Sequence, residues 1–265
     1  MVGKTVAEKI LSEHSGENLY SGDIGFCNLD FLIASDTTAP IAIKAFQEMG
    51  GKEVKNPGNI AFFIDHASPA PNQKIANLHA MMREFAREQG IVLYDIGEGV
   101  CHQIVAERGY VSAGDLVMGA DSHTCTYGAM GALASGIGST DLAAAMLTGQ
   151  IWLKVPESIK INLVGDFQEG VYAKDLILYL VGLFGSDGAN YRSVEFHGPG
   201  LDKMSFGSKM TLCNMVIEMG AKNGIVCDKA AKVTPDEHAK YIEEINVDLS
   251  AITPYVSKPH AVDNA

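Results

Sequence analysis

Short apolar runs alternate along this chain with stretches whose apolar residues recur every three to four positions. That alternation is the pattern of strands and helices in an α/β protein with a largely parallel sheet. Near the start, Thr5 and Glu8 have capping-box spacing, and Val6, Ile10 and Leu11 share one face of the helix they open. Residues 27–33 are strand-like. Pro40 begins a helix closed by Gly50 and Gly51. Residues 59–66 (NIAFFIDH) read as a strand ending in two ionisable groups. Gln73–Gln89 reads as a helix with Ile75, Leu78, Met82 and Phe85 on one stripe, and 91–96 (IVLYDI) as another strand. Residues 114–123 (GDLVMGADSH) repeat the earlier design, a buried strand running into an acid and a histidine. A helix is predicted over 139–153. After a break at Pro156 come a strand over 160–165, a helix over Ala173–Phe184, a strand over 193–198, and helices over 208–220 and 235–245. The pattern predicts two α/β units, 1–156 and 157–250. A tail, 251–265, has little periodicity, no core signal and the character of a linker. There is no internal repeat and no low-complexity segment.

Composition narrows the class. With 265 residues, 47% hydrophobic and 20% charged, the chain can bury a real core. A net charge of −12 argues against nucleic acid or an anionic membrane surface as partner. No apolar run is long enough to span a bilayer, and the first residues lack the apolar stretch of a signal peptide. The five cysteines are an odd, widely spaced set with no C-x-x-C pair. They fit a reducing cytoplasm and argue against a self-contained cysteine metal site.

Three strand exits carry a histidine: Asp65-His66, Cys101-His102-Gln103 and Asp121-Ser122-His123. In open α/β sheets ligands bind outside the carboxyl ends of the strands, so the three can converge on one pocket. Any one histidine alone reads as a capped or solvated side chain. A carboxylate beside an imidazole sets its tautomer and raises its basicity, which suits general acid or base work. Ser122 lacks the G-x-S-x-G elbow of a hydrolase nucleophile. The glycine-rich run 128–138 has neither a P-loop lysine nor a dinucleotide fingerprint. It reads as a tight turn into the next helix, whose free N-terminus can still take a carboxylate. Asn214 and Glu218 stand four apart on one helical face, either towards solvent or towards the pocket.

Together the motifs IDH (64–66), GEGVCHQI (97–104), GADSHTCTYGAMGA (119–132), GVYAKDLILY (170–179), HGPG (197–200) and CNMVIEMGAKNG (213–224) run in the order found in catalytic large subunits of the aconitase family, which this sequence resembles over almost its entire length. The resemblance implies two three-layer α/β/α domains of the aconitase iron-sulfur-domain type, with the third domain missing. It implies a hydro-lyase that moves a hydroxyl between adjacent carbons of a di- or tricarboxylate. Asp65 and His66 resemble the pair that handles the substrate hydroxyl, with His66 the proton donor. His102 resembles the partner of Asp121, and Ser122 and His123 resemble pocket residues, His123 pairing with Glu218. Asn214 resembles a polar residue near the cluster. In aconitase proper an active-site glutamine follows the D-x-T-A stretch; here Asp36-Thr37-Thr38-Ala39 is followed by Pro40, which favours the isopropylmalate-isomerising branch of leucine biosynthesis. Homoaconitase, aconitase and dimethylmalate-type activities stay as alternatives. The resemblance also implies a [4Fe–4S] cluster whose three cysteines lie in motifs this sequence lacks. The arginines that clamp substrate and the serine that takes the carbon-bound proton would lie in later domains or in a separate small (swivel) subunit. The chain is therefore expected to be a partial large subunit, without cluster or turnover by itself, and to expose apolar surface that lowers its solubility. Two readings from other classes remain: a zinc or manganese hydrolase built on Asp65, His66, His102, Asp121 and His123, and a non-catalytic binding module.

Overall fold

The computed structural model describes residues 3–265, so the first two positions of the 1–156 unit lie outside the described residues. Thr5 starts α1 (Val6–Ser15) with the capping box its spacing predicts: its hydroxyl accepts from Glu8 N, and the Glu8 carboxylate accepts from Thr5 N at 2.8 Å. Gly16 ends the helix in the left-handed region. Then follow β1 (Ile24–Asn28), β2 (Phe31–Ser35), α2 (Ala39–Glu48), β3 (Ile60–Phe63), α3 (Gln73–Gln89), β4 (Val92–Tyr94), α4 (Cys101–Glu107), β5 (Leu116–Gly119), β6 (Leu133–Gly136), α5 (Ser139–Thr148) and β7 (Gln150–Lys154). The second half holds β8 (Ser158–Val164), α6 (Ala173–Phe184), β9 (Ser193–His197), α7 (Phe206–Met215), β10 (Asn223–Val226) and β11 (Glu243–Asp248).

Two parallel sheets flanked by helices make this an α/β protein. One has the order β4-β3-β2-β5-β6, the other β10-β9-β8-β11. β2, β3 and β5 are buried along their whole length, as strands covered on both faces must be. Three apolar clusters form, two on the first sheet and one on the second, and the largest of the first sheet interleaves with that of the second. Ile225 and Cys227 from the end of β10 belong to the first, while Cys125 and Ala129 belong to the second.

Several elements differ from the sequence reading. Residues 27–33 are two strands: the chain pivots at Asp30, whose carboxylate accepts from Leu116 N and contacts His14 Nε2 at 2.6 Å. β1 leaves to pair with β7, antiparallel. The helix predicted to reach 153 stops at Gly149, left-handed at φ 73°, and the following residues become β7. The run 128–138 contains β6, so it is more than a turn. The helix predicted over 208–220 ends at Met215 and continues as a 3₁₀ turn, Val216–Met219. The helix predicted over 235–245 does not form. Its last residues are β11, which occupies the edge of β8, so the pairing of a whole strand overrides local helix propensity. The tail is docked: Ile252 is buried, Tyr255 N donates to Asp175 Oδ1 at 2.8 Å, and Tyr255 meets Tyr179 edge-on. No described helix is long and apolar enough to cross a membrane.

Candidate active site

In the first sheet the strand order reverses between β2 and β5, so their connections diverge and leave a crevice beyond their carboxyl ends. Asp36 follows β2 and Asp121 follows β5. Asp36 is fully buried. Its carboxylate accepts from the amides of His66 and Ala67, each at 2.9 Å, and from His79 Nε2 at 3.0 Å. A buried charge is tolerable only when ringed by donors in this way. The result is that one strand exit fixes the backbone of the next.

On that backbone, Asp65 Oδ1 contacts His66 Nδ1 at 2.7 Å, and its Oδ2 accepts from Cys101 N, the start of α4, also at 2.7 Å. The other face of the ring, His66 Nε2, lies 3.2 Å from Asp121 Oδ2. His102 Nε2 approaches Asp121 Oδ1 at 3.4 Å. Asp121 Oδ1 also accepts from His123 N at 2.8 Å, capping the 3₁₀ run Ser122–Met130. His123 places Nδ1 3.1 Å from Ser122 Oγ and Nε2 3.6 Å from Glu218 Oε1. Asn214 Nδ2 donates to Thr126 Oγ1 at 2.9 Å. The three strand-exit histidines and Glu218 are thus gathered into one constellation. His66, Asp121, Ser122 and His123 line a cleft of about 950 Å³, and Asp65 stands behind them.

Electrostatics separates the roles. Burial works against the His66 cation, but the Asp65 hydrogen bond and the charges of Asp65, Asp121 and Asp36 outweigh it and raise its pKa above 6.5. A carboxylate stands at each ring nitrogen, an arrangement that favours the protonated ring. Burial likewise opposes ionisation of Asp121, yet the His102 bond and charge, the His123 amide and the His66 charge hold its carboxyl at about 2. His102 Nδ1 and the Tyr127 hydroxyl are buried without a hydrogen-bond partner among the described residues. The two rings lie 5.9 Å apart.

Cys125 stands apart from this chemistry. It is fully buried, its Sγ faces the carbonyls of Ser122 and Asn214, and burial pushes its thiol up to about 12. The other four cysteines are buried and free too. Groups of His, Cys, Asp and Glu close enough to share an ion contain at most one cysteine each among the described residues. The residues present therefore do not fit as the three-thiolate ligand set of an iron–sulfur cluster. In two of those groups the donors are already engaged: Asp36 and Asp65 accept from amides and rings, and burial raises the Cys101 thiol far above its ordinary range.

Asp36 and His79, as supports, and Lys222, in the cleft wall, join the site without being expected from the sequence. Asp36 had a signal, since it is an acid at a strand exit like the others. His79 had none, because it sits within an otherwise amphipathic helix.

The aconitase family model (aconitate hydratase) matches residues 8–230. A 3-isopropylmalate dehydratase large subunit from Methanopyrus kandleri is 46% identical over 278 residues, covering 99% of this chain and 66% of that protein. One from Thermotoga maritima is 46% identical with 99% and 66% covered, and one from Archaeoglobus fulgidus is 45% identical with the same coverage. The chain spans just under two thirds of the length of these relatives, 66%. With the family's extent matched over most of the chain, and with His66, Asp121 and His123 lining one cleft, the chain belongs to the aconitase family.

Proposed function

We propose that this chain forms the greater part of the large subunit of a hydro-lyase that interconverts 2-isopropylmalate and 3-isopropylmalate by dehydration and rehydration, in leucine biosynthesis. The observation that carries the reading is the position of His66, between the carboxylates of Asp65 and Asp121 and open to the cleft. In dehydration His66 gives a proton to the substrate hydroxyl as the C–O bond breaks, so that water leaves. A base takes the proton from the neighbouring carbon. Rehydration runs the same transfers backwards, with addition at the other carbon. Asp121 orients His66 and His102, and Glu218 orients His123 beside Ser122. Asn214 holds the 3₁₀ run through Thr126.

In this reading the complete enzyme carries a [4Fe–4S] cluster. Its ligands, the substrate-clamping arginines and the carbon-acid base belong to the portion of such proteins that this chain does not span, or to a small subunit. The chain is read as two α/β units, 1–156 and 157–250, followed by 251–265. Buried, unpaired thiols support a reducing, cytoplasmic setting.

The test is reconstitution: the chain, supplied with the remaining portion of a relative and its small subunit, is loaded anaerobically with iron and sulfide and assayed for hydration of the alkene diacid. Activity that falls about 10²–10⁴-fold in H66Q, the range for loss of a positioned acid, is the expected result. Full activity in H66Q, or none in a folded and loaded wild type, defeats the reading.

A further inference from the structure

The cleft is acidic where its proposed substrate is anionic. Asp121 and Asp141 both line it, and the chain as a whole carries −12. Among its lining residues Lys222 is the one lysine or arginine. It follows the 3₁₀ turn that carries Glu218, and its amide donates to Arg192 O at 2.8 Å, so its backbone is fixed.

The ammonium is poorly partnered. Its Nζ reaches Gly136 O at 3.4 Å and lies 5.6 Å from the Tyr191 ring centre. No carboxylate stands within 4.0 Å of it among the described residues. A half-buried ammonium with three donors and one long contact to a neutral oxygen retains donor capacity that solvent or a ligand must meet. Gly136 in turn abuts the catalytic turn: a Cβ there would lie 2.7 Å from Asp121 O and 3.1 Å from Ser122 Cα. Lys222 is therefore joined through one residue to the backbone that carries Asp121 and Ser122.

We propose that Lys222 binds a carboxylate of the substrate at the wall of the cleft shared with Trp152 and Tyr191, leaving the hydroxyl-bearing carbon to His66. The inference rests on the hydroxy-dicarboxylate reading above. Burial depresses the lysine's pKa while the charge of Asp141 opposes that depression, so an incoming carboxylate meets an ammonium that has lost part of its hydration. Such charge-assisted bonds are stronger than their solvated counterparts. The start of α5 and Ser139 lie on the same wall and adjoin the site without defining it.

Trp152 is the single tryptophan of the chain and lines the same cleft, which makes its fluorescence a direct reporter. The chain as it stands is titrated with malonate, against sodium chloride at matched ionic strength. A saturable change with malonate alone is expected, weakened about tenfold or more in K222M and retained in K222R, as for loss and conservation of one charged contact. No saturable change in the wild type, a change that chloride reproduces, or equal affinity in a folded K222M overturns the proposal. Should K222M not fold, lysine-selective carbon spectra of the wild type decide. The resonance missing from K222R is that of Lys222; malonate shifts it if the proposal holds, and leaves it unmoved if not. Malonate binding without dehydratase activity in the reconstituted enzyme removes the reaction but keeps the subsite. Activity without malonate binding at Lys222 removes the subsite alone.

Discussion

Asp36 touches no solvent, yet three backbone and side-chain donors within 3.0 Å converge on it, two of them amides of the turn that aims His66. Asparagine at this position keeps the shape but turns one acceptor into a donor facing another donor. D36N is expected to cost about 3 kcal/mol in urea unfolding, the scale of hydrogen bonds to a charged group. Burial raises the Asp36 pKa, but the amides of His66 and Ala67 and the His79 ring outweigh it and bring it below 3.8. Its contribution to stability is therefore present above pH 3.8 and lost as the pH falls through the lower folded value, and D36N should flatten the acid limb of the stability profile. Legibility at this scale followed sequence position. Asp65, His66, Asp121 and His123 announced themselves as ionisable groups ending apolar runs. Asp36 carried the same mark but no adjacent histidine, and what it holds is backbone; His79, which holds Asp36, lay hidden within a helix.

Between elements, the contacts that matter most involve the least side chain. A Cβ on Gly128 would sit 1.6 Å from Gly224 O, so the 3₁₀ run and β10 pack backbone on backbone. G128A should destabilise by about 3 kcal/mol, as overpacking without room to relax does, and a thermal melt of the variant checks it. A second tie joins α1 to the loop before β2. His14 has Nδ1 2.7 Å from Ile10 O and Nε2 2.6 Å from Asp30 Oδ2, an arrangement that asks both nitrogens to donate. Burial opposes the cation, but the Asp30 and Ile10 bonds prevail and raise its pKa above 6.5; Asp30 is lowered below 3.8, burial again opposing. The tie is fully made between those two values and is lost as pH rises through the raised histidine pKa. H14Q should therefore lose about 1–2 kcal/mol relative to wild type near pH 5–6, a gap that closes in alkaline buffer. Helices such as Ala173–Phe184 were legible because their own periodicity suffices. β11 was not, since a strand recruited to a neighbour's edge is specified by that edge as much as by its own residues.

At the scale of the whole molecule, the alternation of runs and helices was enough to predict parallel sheets, and the acids at strand ends were enough to place the cleft. The order of the strands was not legible, nor was the small β1–β7 sheet, which draws on residues more than a hundred positions apart. That sheet turns Ile24, Phe26 and Trp152 outward at 60%, 68% and 58% exposure, with Phe26 paired directly against Trp152. Contiguous apolar faces of this kind promote association. The double variant I24S/F26S is expected to raise the concentration at which light scattering first detects aggregates, with the melting temperature unchanged.

The segment that carries Ser122 and His123 is locked from Thr124 through Ala129: those residues are buried, Gly128 rests on Gly224, and Thr126 is tied to Asn214. Amide hydrogens across this stretch should exchange with deuterium among the slowest in the protein. A wall of that rigidity has already surrendered its conformational entropy during folding. A ligand that docks against it meets a surface with little left to order, and its affinity is set by complementarity rather than by adaptation.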